Sequence, residues 1–116
     1  MIRRDNQYDS EVREKMRDGR GEVKIEHLWK KDELCNRARL LARLTLTPGS
    51  SIGFHEHIGE CEVFYILQGQ AKMLDNNRQE TLTAGDTILT SDCGHAVEAA
   101  GNENLIMLAV ILPAST

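Results

Sequence analysis

Residues 49–69 read GSSIGFHEHIGECEVFYILQG and combine a cluster of metal-binding residue types with a strand-forming pattern. In an extended segment, residues i and i+2 point to the same side, with Cα atoms about 6 to 7 Å apart. His55 and His57 therefore project together, a spacing that suits two imidazoles converging on one cation. Glu62 begins the next strand, EVFYIL, and a turn at IGEC would bring its carboxylate to both imidazoles.

Short strand-like segments continue from this stretch to the C-terminus, with turn residues at each junction. No helical pattern interrupts them, which predicts an all-β protein built as an antiparallel sandwich or closed barrel. The segments are QAKML, QETLT, DTILT, HAVEA and NLIMLAVIL, and the turns between them contain QG, DNNR, AGD, SDCG and AGNEN.

The same period of two extends upstream. A segment beginning near Gly21 alternates apolar and polar residues, and the polar linker KKDELCNR separates it from ARLLARLTL. Both segments predict strands with one apolar face. These faces comprise Val23, Ile25, His27 and Trp29 in the first strand, and Leu40, Ala42, Leu44 and Leu46 in the second.

Residues 1–20 are polar and carry one apolar stripe with a period of four. This period predicts a short N-terminal helical arm that ends near Gly19 and packs on the rest of the chain or on a second subunit. A frayed terminus is the alternative. Residues 21–116 then form a single β-domain. The stripe contains Tyr8, Val12 and Met16, and Asp9 or Ser10 is the candidate helix cap.

Composition narrows the class of protein. A chain of 116 residues with 41% hydrophobic and 28% charged residues is typical of one globular domain. A net charge of −4 and 4% aromatic residues argue against a nucleic-acid surface. The apolar runs are too short for a membrane span, and the N-terminus does not resemble a secretory signal. Three widely spaced cysteines then favour reduced thiols and a cytoplasmic location.

His95 is the candidate fourth ligand. It follows the tight turn SDCG and begins the strand HAVEA. Three histidines and one glutamate around a divalent ion give a net charge near +1. In octahedral geometry such a set leaves two positions open, and an open position separates a site that can bind substrate from a closed structural site.

The stretch at residues 49–69 resembles the first motif of the cupin superfamily: a glycine, five residues, His-x-His, four residues, a glutamate, six residues and a glycine. Gly49, His55, His57, Glu62 and Gly69 fill every position at the family's spacing. The resemblance extends over about residues 37–112.

The second cupin motif is matched in part by GDTILTSDCGHAVEA. Gly85, Asp86 and His95 are in place. The usual proline is missing, the turn is one residue shorter, and Ala99 stands where the family has asparagine. These departures bear on the geometry of the loop more than on the histidine.

The resemblance implies a double-stranded β-helix, a small jelly-roll barrel of two antiparallel sheets with the ligands in its mouth. It implies a site for a divalent transition metal, namely Mn, Fe, Ni, Zn, Co or Cu, held by His55, His57, Glu62 and His95. It further implies a homodimer, and the mouth of a small barrel suits a small-molecule ligand. The charge and the short apolar runs, rather than the resemblance, predict no nucleic-acid or membrane partner.

Several neighbouring residues have alternative roles. Glu56 is expected to be solvated. Glu60 is either a surface residue or a reserve ligand. Cys61 should point away from Glu62 by strand alternation. Cys93, two residues before His95, is either a turn residue packed at the barrel rim or a soft thiolate ligand.

Five further side chains have alternative roles. His27 is expected in the core or at an interface, and Trp29 and Tyr65 are expected to pack, although either could line a pocket. Arg39 and Arg43 share one face of their strand. This face is either solvated or turned inward to hold a substrate carboxylate.

Two functions remain open at this level. The first is a metal-dependent enzyme of oxygenase, decarboxylase, isomerase or lyase type that acts on a small oxygen-bearing organic compound; the sequence identifies no catalytic residue. The second is a noncatalytic module that binds a small molecule or the metal itself. A metal-free barrel filled by its histidines is a third possibility.

Overall fold

The computed structural model describes residues 1–114, which form two antiparallel sheets packed face to face. The all-β prediction is confirmed. The strands are β1 (Asp9–Glu14), β2 (Glu22–His27), β3 (Leu40–Leu46), β4 (Ser51–Glu56), β5 (Glu60–Gln68), β6 (Gln70–Asp75), β7 (Arg78–Thr83), β8 (Thr87–Ser91), β9 (Gly94–Ala100) and β10 (Leu105–Pro113).

The chain alternates between the two sheets. One sheet has six strands in the order β1-β2-β3-β10-β5-β8, and the other has four in the order β4-β9-β6-β7. Strands that are distant in sequence therefore lie side by side, as β5 and β10 do through Ala109 opposite Phe64. This arrangement is the double-stranded β-helix that the cupin resemblance implied.

The core fills the space between the sheets. On β3, β5 and β10, alternate residues are buried and the intervening ones are more exposed, as strand periodicity requires. The largest buried side chains include Phe64, Leu46, Ile52, Ile66, Met73, Leu105 and Met107.

The predicted N-terminal helical arm is wrong. Residues Asp9–Glu14 form strand β1, which pairs antiparallel with β2 from Asp9 opposite His27 to Glu14 opposite Glu22. A period of four is a multiple of two, so Tyr8, Val12 and Met16 would share a face in a strand as well as in a helix. Pairing with β2 also satisfies backbone groups that a short polar helix would leave to water.

The helical segments of the described residues are three short 3-10 turns, Asp5–Gln7, Met16–Asp18 and Lys31–Leu34. The second turn packs against β4 and is important for the cavity described below. Among residues 1–114, no helix has the length and apolar character required to cross a membrane.

Gly69 shows why the first motif ends in glycine. Its φ is +85°, in the left-handed region that side chains disfavour. A Cβ at this position would also lie 2.5 Å from the backbone oxygen of Asn104. The turn between β5 and β6 therefore requires a residue without a side chain.

Candidate metal centre

A β-bulge sets the direction of His55. In the pairing of β4 with β9, Ile52 lies opposite Val97 and His55 lies opposite His95, so β4 has one extra residue between these pairs. A bulge of this kind bends a strand and redirects its side chains. The result places the imidazoles of His55 and His95 next to each other on the inner face of the four-stranded sheet.

The short SDCG turn is held by two hydrogen bonds to the turn that follows β4. The backbone N–H of His57 donates to the carbonyl oxygen of Cys93 (2.9 Å), and that of Gly59 donates to Asp92 Oδ1 (2.9 Å). These contacts join the ends of β4 and β9 at the point where His57 and His95 enter the barrel. The missing proline and the shortened loop therefore do not separate the histidines.

Glu62 reaches the histidines from the opposite sheet. It lies on β5 between Thr90 of β8 and Ile111 of β10, and it is 4% exposed. Its Oε1 atom is 2.9 Å from His57 Nε2 and 3.0 Å from His95 Nε2. The cluster is thus assembled from both sheets.

The four side chains converge on one point. His57 Nε2 lies 3.1 Å from His95 Nε2, which lies 3.2 Å from His55 Nε2. One candidate ligand atom from each of His55, His57, Glu62 and His95 lies within 4.8 Å of the others. The cluster could therefore hold a metal ion.

Each histidine turns its other ring nitrogen to an oxygen partner. His55 Nδ1 lies 2.8 Å from the carbonyl oxygen of Gly53, and His57 Nδ1 lies 2.8 Å from Glu60 Oε1. A carbonyl or an ionised carboxylate only accepts, so both Nδ1 atoms carry the proton. His95 Nδ1 lies 2.8 Å from the hydroxyl of Thr90, which can accept in the same way. The ring of Phe64 stacks on His95 with an interplanar angle of 11°.

Two pKa shifts agree with this arrangement. Burial lowers the pKa of His55, which favours the neutral imidazole that metal binding requires. The pKa of Glu60 falls to about 2, chiefly because Arg39 donates two hydrogen bonds of 2.9 Å to its carboxylate. Glu60 is therefore ionised over the ordinary pH range and can accept the proton of His57 Nδ1.

The atoms that meet at the centre of the cluster are hydrogen-bond acceptors without a donor. With Nδ1 protonated, the Nε2 atoms of His55 and His57 present lone pairs to the centre of the cluster. Glu62 Oε1 is buried and has no hydrogen-bond partner among the described residues, although two imidazole nitrogens lie within 3.0 Å. The short distances therefore do not reflect hydrogen bonds to this oxygen. A cation between the four groups would satisfy all of them.

The separations also fit ligands around one ion. With metal–ligand bonds of about 2.1 Å, adjacent ligands lie about 3.0 Å apart in an octahedron and about 3.4 Å apart in a tetrahedron. The four contacts of 2.9 to 3.2 Å are closer to the octahedral value. These four separations therefore fit side chains that could share one metal ion.

A cavity of about 100 Å³ opens beside the cluster. His55, His57 and Glu62 line one side of it. Apolar side chains line much of the remainder, together with three arginines. The apolar lining includes Ile25, Leu44, Ile52 and Phe64, and the arginines are Arg13, Arg17 and Arg39.

The residues next to the proposed ligands in sequence lie outside the cluster, in different environments. Glu56 is exposed, as expected. Glu60 was expected to be a surface residue or a reserve ligand. Instead, it accepts a hydrogen bond from His57 Nδ1, the ring nitrogen that faces away from the cluster. Cys61 and Cys93 are half-buried free thiols outside the cluster.

The two arginines of the β3 region lie in different places. Arg39 lines the cavity but is engaged by Glu60. Arg43 is paired with Glu26 at 3.0 Å and lies over the ring of Tyr8, outside this cavity. His27 is half-buried and lines the cavity.

Sequence reasoning missed the outer partners of the histidines and the arginines of the N-terminal segment. Thr90 left a detectable signal, because it is a polar residue on the inward-facing side of β8 together with Ile88. Arg13 and Arg17 left none, since residues 1–20 were expected to form a helical arm.

Comparison with known proteins identifies relatives across the chain. A family model described as "Cupin domain" matches residues 42–111. The oxalate-binding protein of Thermotoga maritima is 43% identical over 113 residues, which cover 97% of this chain and 93% of that protein.

Solved structures agree with this match. The crystal structure of a predicted oxalate decarboxylase from Thermotoga maritima is 43% identical, with a TM-score of 0.93 over 97% of this chain and 99% of the other. KdgF from Halomonas sp. has a TM-score of 0.75 at 13% identity, over 96% of this chain and 93% of the other. At that identity the second likeness shows the fold alone.

Proposed function

The chain belongs to the cupin domain family, and from this premise we propose that it binds a divalent transition metal and, at the metal, a small organic acid. The proposed metal ligands are His55, His57, Glu62 and His95. The observation that carries the proposal is the convergence of imidazole nitrogens on the buried, unpaired Oε1 of Glu62.

The donor set indicates the class of metal. Imidazole nitrogen suits Mn, Fe, Co, Ni, Cu and Zn better than Mg or Ca, which prefer oxygen. The neutral histidines and the single carboxylate would leave a divalent ion with a net charge of about +1. When bound, such an ion polarises an oxygen-bearing ligand as a Lewis acid.

The chain's own residues provide the rest of the site. The Nδ1 atom of each imidazole is oriented by an oxygen partner, which belongs to Gly53, Glu60 or Thr90. Apolar side chains on part of the cavity wall lower the local dielectric constant, which strengthens electrostatic interactions with a charged ligand.

Oxalate is the proposed ligand. The relative named an oxalate-binding protein is 43% identical over nearly the whole chain, which supports a shared ligand. A volume of about 100 Å³ also restricts the ligand to a compact molecule. A cavity of roughly 150 Å³ holds benzene, which has six heavy atoms.

Decarboxylation of oxalate is a second candidate, supported by the 43% identity to the Thermotoga maritima protein described as a predicted oxalate decarboxylase. Hydrogen oxalate would yield formate and carbon dioxide, with the cleaved C–C electron pair taking the proton. Metal-loaded protein incubated with oxalate distinguishes the candidates: formate release that is lost in His95→Ala supports catalysis, and saturable binding without formate supports the binding module.

Metal content tests the ligand set. Untagged wild-type protein is expected to contain about one transition metal per chain, and His57→Ala and His95→Ala are expected to lose most of it. His27→Ala removes a histidine that lies outside the cluster and serves as the matched control. Wild-type protein without transition metal, or ligand variants that retain it fully, would contradict the proposal.

A further inference from the structure

We propose that Arg17 is a specificity-determining residue that binds the second carboxylate of the ligand, so that the cavity selects a dicarboxylate over a monocarboxylate. This inference rests on the proposed function above and assigns a binding role to the N-terminal segment.

Arg17 lies at the cavity that opens beside the four-residue cluster. It belongs to the 3-10 turn Met16–Asp18, and it lines the cavity together with His55 and Glu62. An anion bound next to the cluster would therefore lie within the field of this guanidinium.

The turn that carries Arg17 is seated closely on β4. Arg20 and Ser51 exchange two hydrogen bonds, from Ser51 N to Arg20 O (2.8 Å) and from Arg20 N to Ser51 Oγ (2.9 Å). A Cβ on Gly53 would lie 1.9 Å from the backbone oxygen of Arg17, and one on Gly19 would lie 2.2 Å from that of Ser51. Two glycines thus allow the turn to approach the strand that supplies His55.

The backbone of this turn is strained. Lys15, Arg17 and Asp18 all have positive φ, between 50° and 63°, although none is glycine. Residues other than glycine, asparagine and aspartate rarely adopt this region. The contacts with β4 hold the chain in this conformation, which directs Arg17 to the cavity. Strain held by surrounding structure is common where a side chain must be positioned for binding.

Arg17 differs from the other two arginines of the cavity. Arg13 pairs with Glu11 at 2.8 Å, and Arg39 pairs with Glu60 at 2.9 Å. Within residues 1–114, no carboxylate forms an ion pair with Arg17. Its guanidinium is therefore available for a carboxylate that the chain does not provide.

The charges at the cavity match a dianion. A divalent ion (+2) and Glu62 (−1) sum to +1, and Arg17 (+1) brings the total to +2, because Arg13 and Arg39 are each offset by a glutamate. A guanidinium also presents a planar fork that fits a carboxylate through two parallel hydrogen bonds. The ligand class is a dianionic dicarboxylate of about six heavy atoms, with one carboxylate at the metal and the other at Arg17.

Calorimetry with two ligands of similar size tests this assignment. Oxalate has two carboxylates, whereas glycolate has one carboxylate and a hydroxyl that can also reach a metal. In metal-loaded protein, Arg17→Gln is expected to weaken oxalate binding by about tenfold to hundredfold, the usual effect of losing a charge-assisted bond. Glycolate binding is expected to change by less than about threefold, the range in which no such bond is lost.

Two further variants test whether the shape and the position of the Arg17 charge determine oxalate binding. Arg17→Lys keeps the charge and loses the fork, so its oxalate affinity should lie between those of wild type and Arg17→Gln. Arg20→Gln removes the same charge from the same segment at a position paired with Glu98, outside the cavity, and should bind oxalate as wild type does. Metal content measured on every sample should be equal.

The outcomes separate the inference from the proposed function. Equal loss of oxalate and glycolate in Arg17→Gln, or no loss of either, overturns the role of Arg17 while metal and acid binding stand. Metal-loaded wild-type protein that binds no oxalate overturns both the role of Arg17 and the proposed ligand. Wild-type protein without transition metal overturns the proposed function itself, and the inference with it.

Discussion

At the scale of single residues, each histidine of the cluster has a hydrogen-bond partner at its Nδ1 atom. Thr90 and His95 are both fully buried, and the Thr90 hydroxyl lies 2.8 Å from His95 Nδ1. A partner of this kind fixes the tautomer and the ring orientation of a metal-binding imidazole. Thr90 should therefore influence the metal although it does not reach the cluster.

Thr90→Val is expected to reduce metal affinity by about tenfold to hundredfold, because it keeps the shape of the side chain and removes the oxygen. The buried Nδ1–H of His95 would lose its acceptor, which also costs about 1 to 3 kcal/mol of stability. Competition titration with a chromophoric chelator measures the affinity, and urea unfolding of the metal-free protein measures the stability.

Thr90→Ser is the matched control, since it retains the hydroxyl. Its metal affinity should remain near that of wild type. If Thr90→Val and Thr90→Ser bind metal equally well, the hydroxyl does not orient His95 and the assignment of its tautomer is wrong.

Strand alternation alone indicated that His55 and His57 act together and that Cys61 faces away. The sequence proposed His95 as the fourth ligand from its place after the SDCG turn. Its proximity to His55 depends on the pairing of β4 with β9, which the sequence did not predict. The partnership of Glu60 with His57 could not be predicted, because it depends on the turn between β4 and β5 and on Arg39.

At the scale of elements, the N-terminal segment shows how a pattern can fit two structures. Apolar residues four apart share a face in a helix and in a strand, so the stripe at Tyr8, Val12 and Met16 could not decide between them. The all-β class and the later strands were predictable because their period of two extends over many segments. The bulge in β4 was not predictable from the sequence, since Gly53 carries no periodic signal.

Gly53→Ala tests the contact between that bulge and the N-terminal turn. Gly53 has no positive φ, so an alanine is acceptable to the backbone itself, and the cost arises from the 1.9 Å approach of its Cβ to Arg17 O. Displacing the turn should cost about 1 to 3 kcal/mol, as overpacking usually does. It should also increase hydrogen exchange at residues 15–20. Denaturant unfolding and exchange mass spectrometry provide the two measurements.

Gly85→Asn is a suitable control for this variant. A Cβ at Gly85 meets nothing within 4 Å, and asparagine tolerates its φ of +96° better than most residues do. Unchanged exchange at residues 15–20 in Gly53→Ala would show that the turn does not depend on the close approach.

At the scale of the whole molecule, the outer face of the six-stranded sheet carries an apolar surface. Strand pairing places Leu41, Val110, Val63 and Leu89 in one row across four strands. Tyr65 is 42% exposed and Leu89 is 61% exposed. A continuous apolar surface of this kind commonly marks a contact with another molecule.

We predict that this surface is the interface of the homodimer that the cupin resemblance implies, because a two-fold axis would pack the row against its own copy. Sedimentation velocity should show a dimer for wild type and a monomer for Leu89→Glu. Leu74→Glu changes an exposed leucine on the other sheet and should remain dimeric. A monomeric wild type at micromolar concentration, or a dimeric Leu89→Glu, contradicts this prediction.

Metal binding at the proposed ligands would link the site to the stability of the whole fold. His55 and His95 lie on strands of the four-stranded sheet, and Glu62 lies on the six-stranded sheet, so an ion held by all of them connects the two layers. Unfolding would separate the ligands and release the ion. Binding free energy therefore adds to the free energy of unfolding.

A transition metal at about a thousand times its dissociation constant should stabilise the protein by about 4 kcal/mol. For a domain of this size, that corresponds to a rise in Tm of roughly 10 to 25 °C. Differential scanning calorimetry of chelator-treated wild type, with and without added metal, measures the shift. His95→Ala should show little gain, and magnesium should stabilise neither protein, because this donor set disfavours it. A wild-type Tm that does not respond to any transition metal would mean that the four side chains do not bind one as a unit, whereas an equal rise in His95→Ala would place the bound metal elsewhere on the chain.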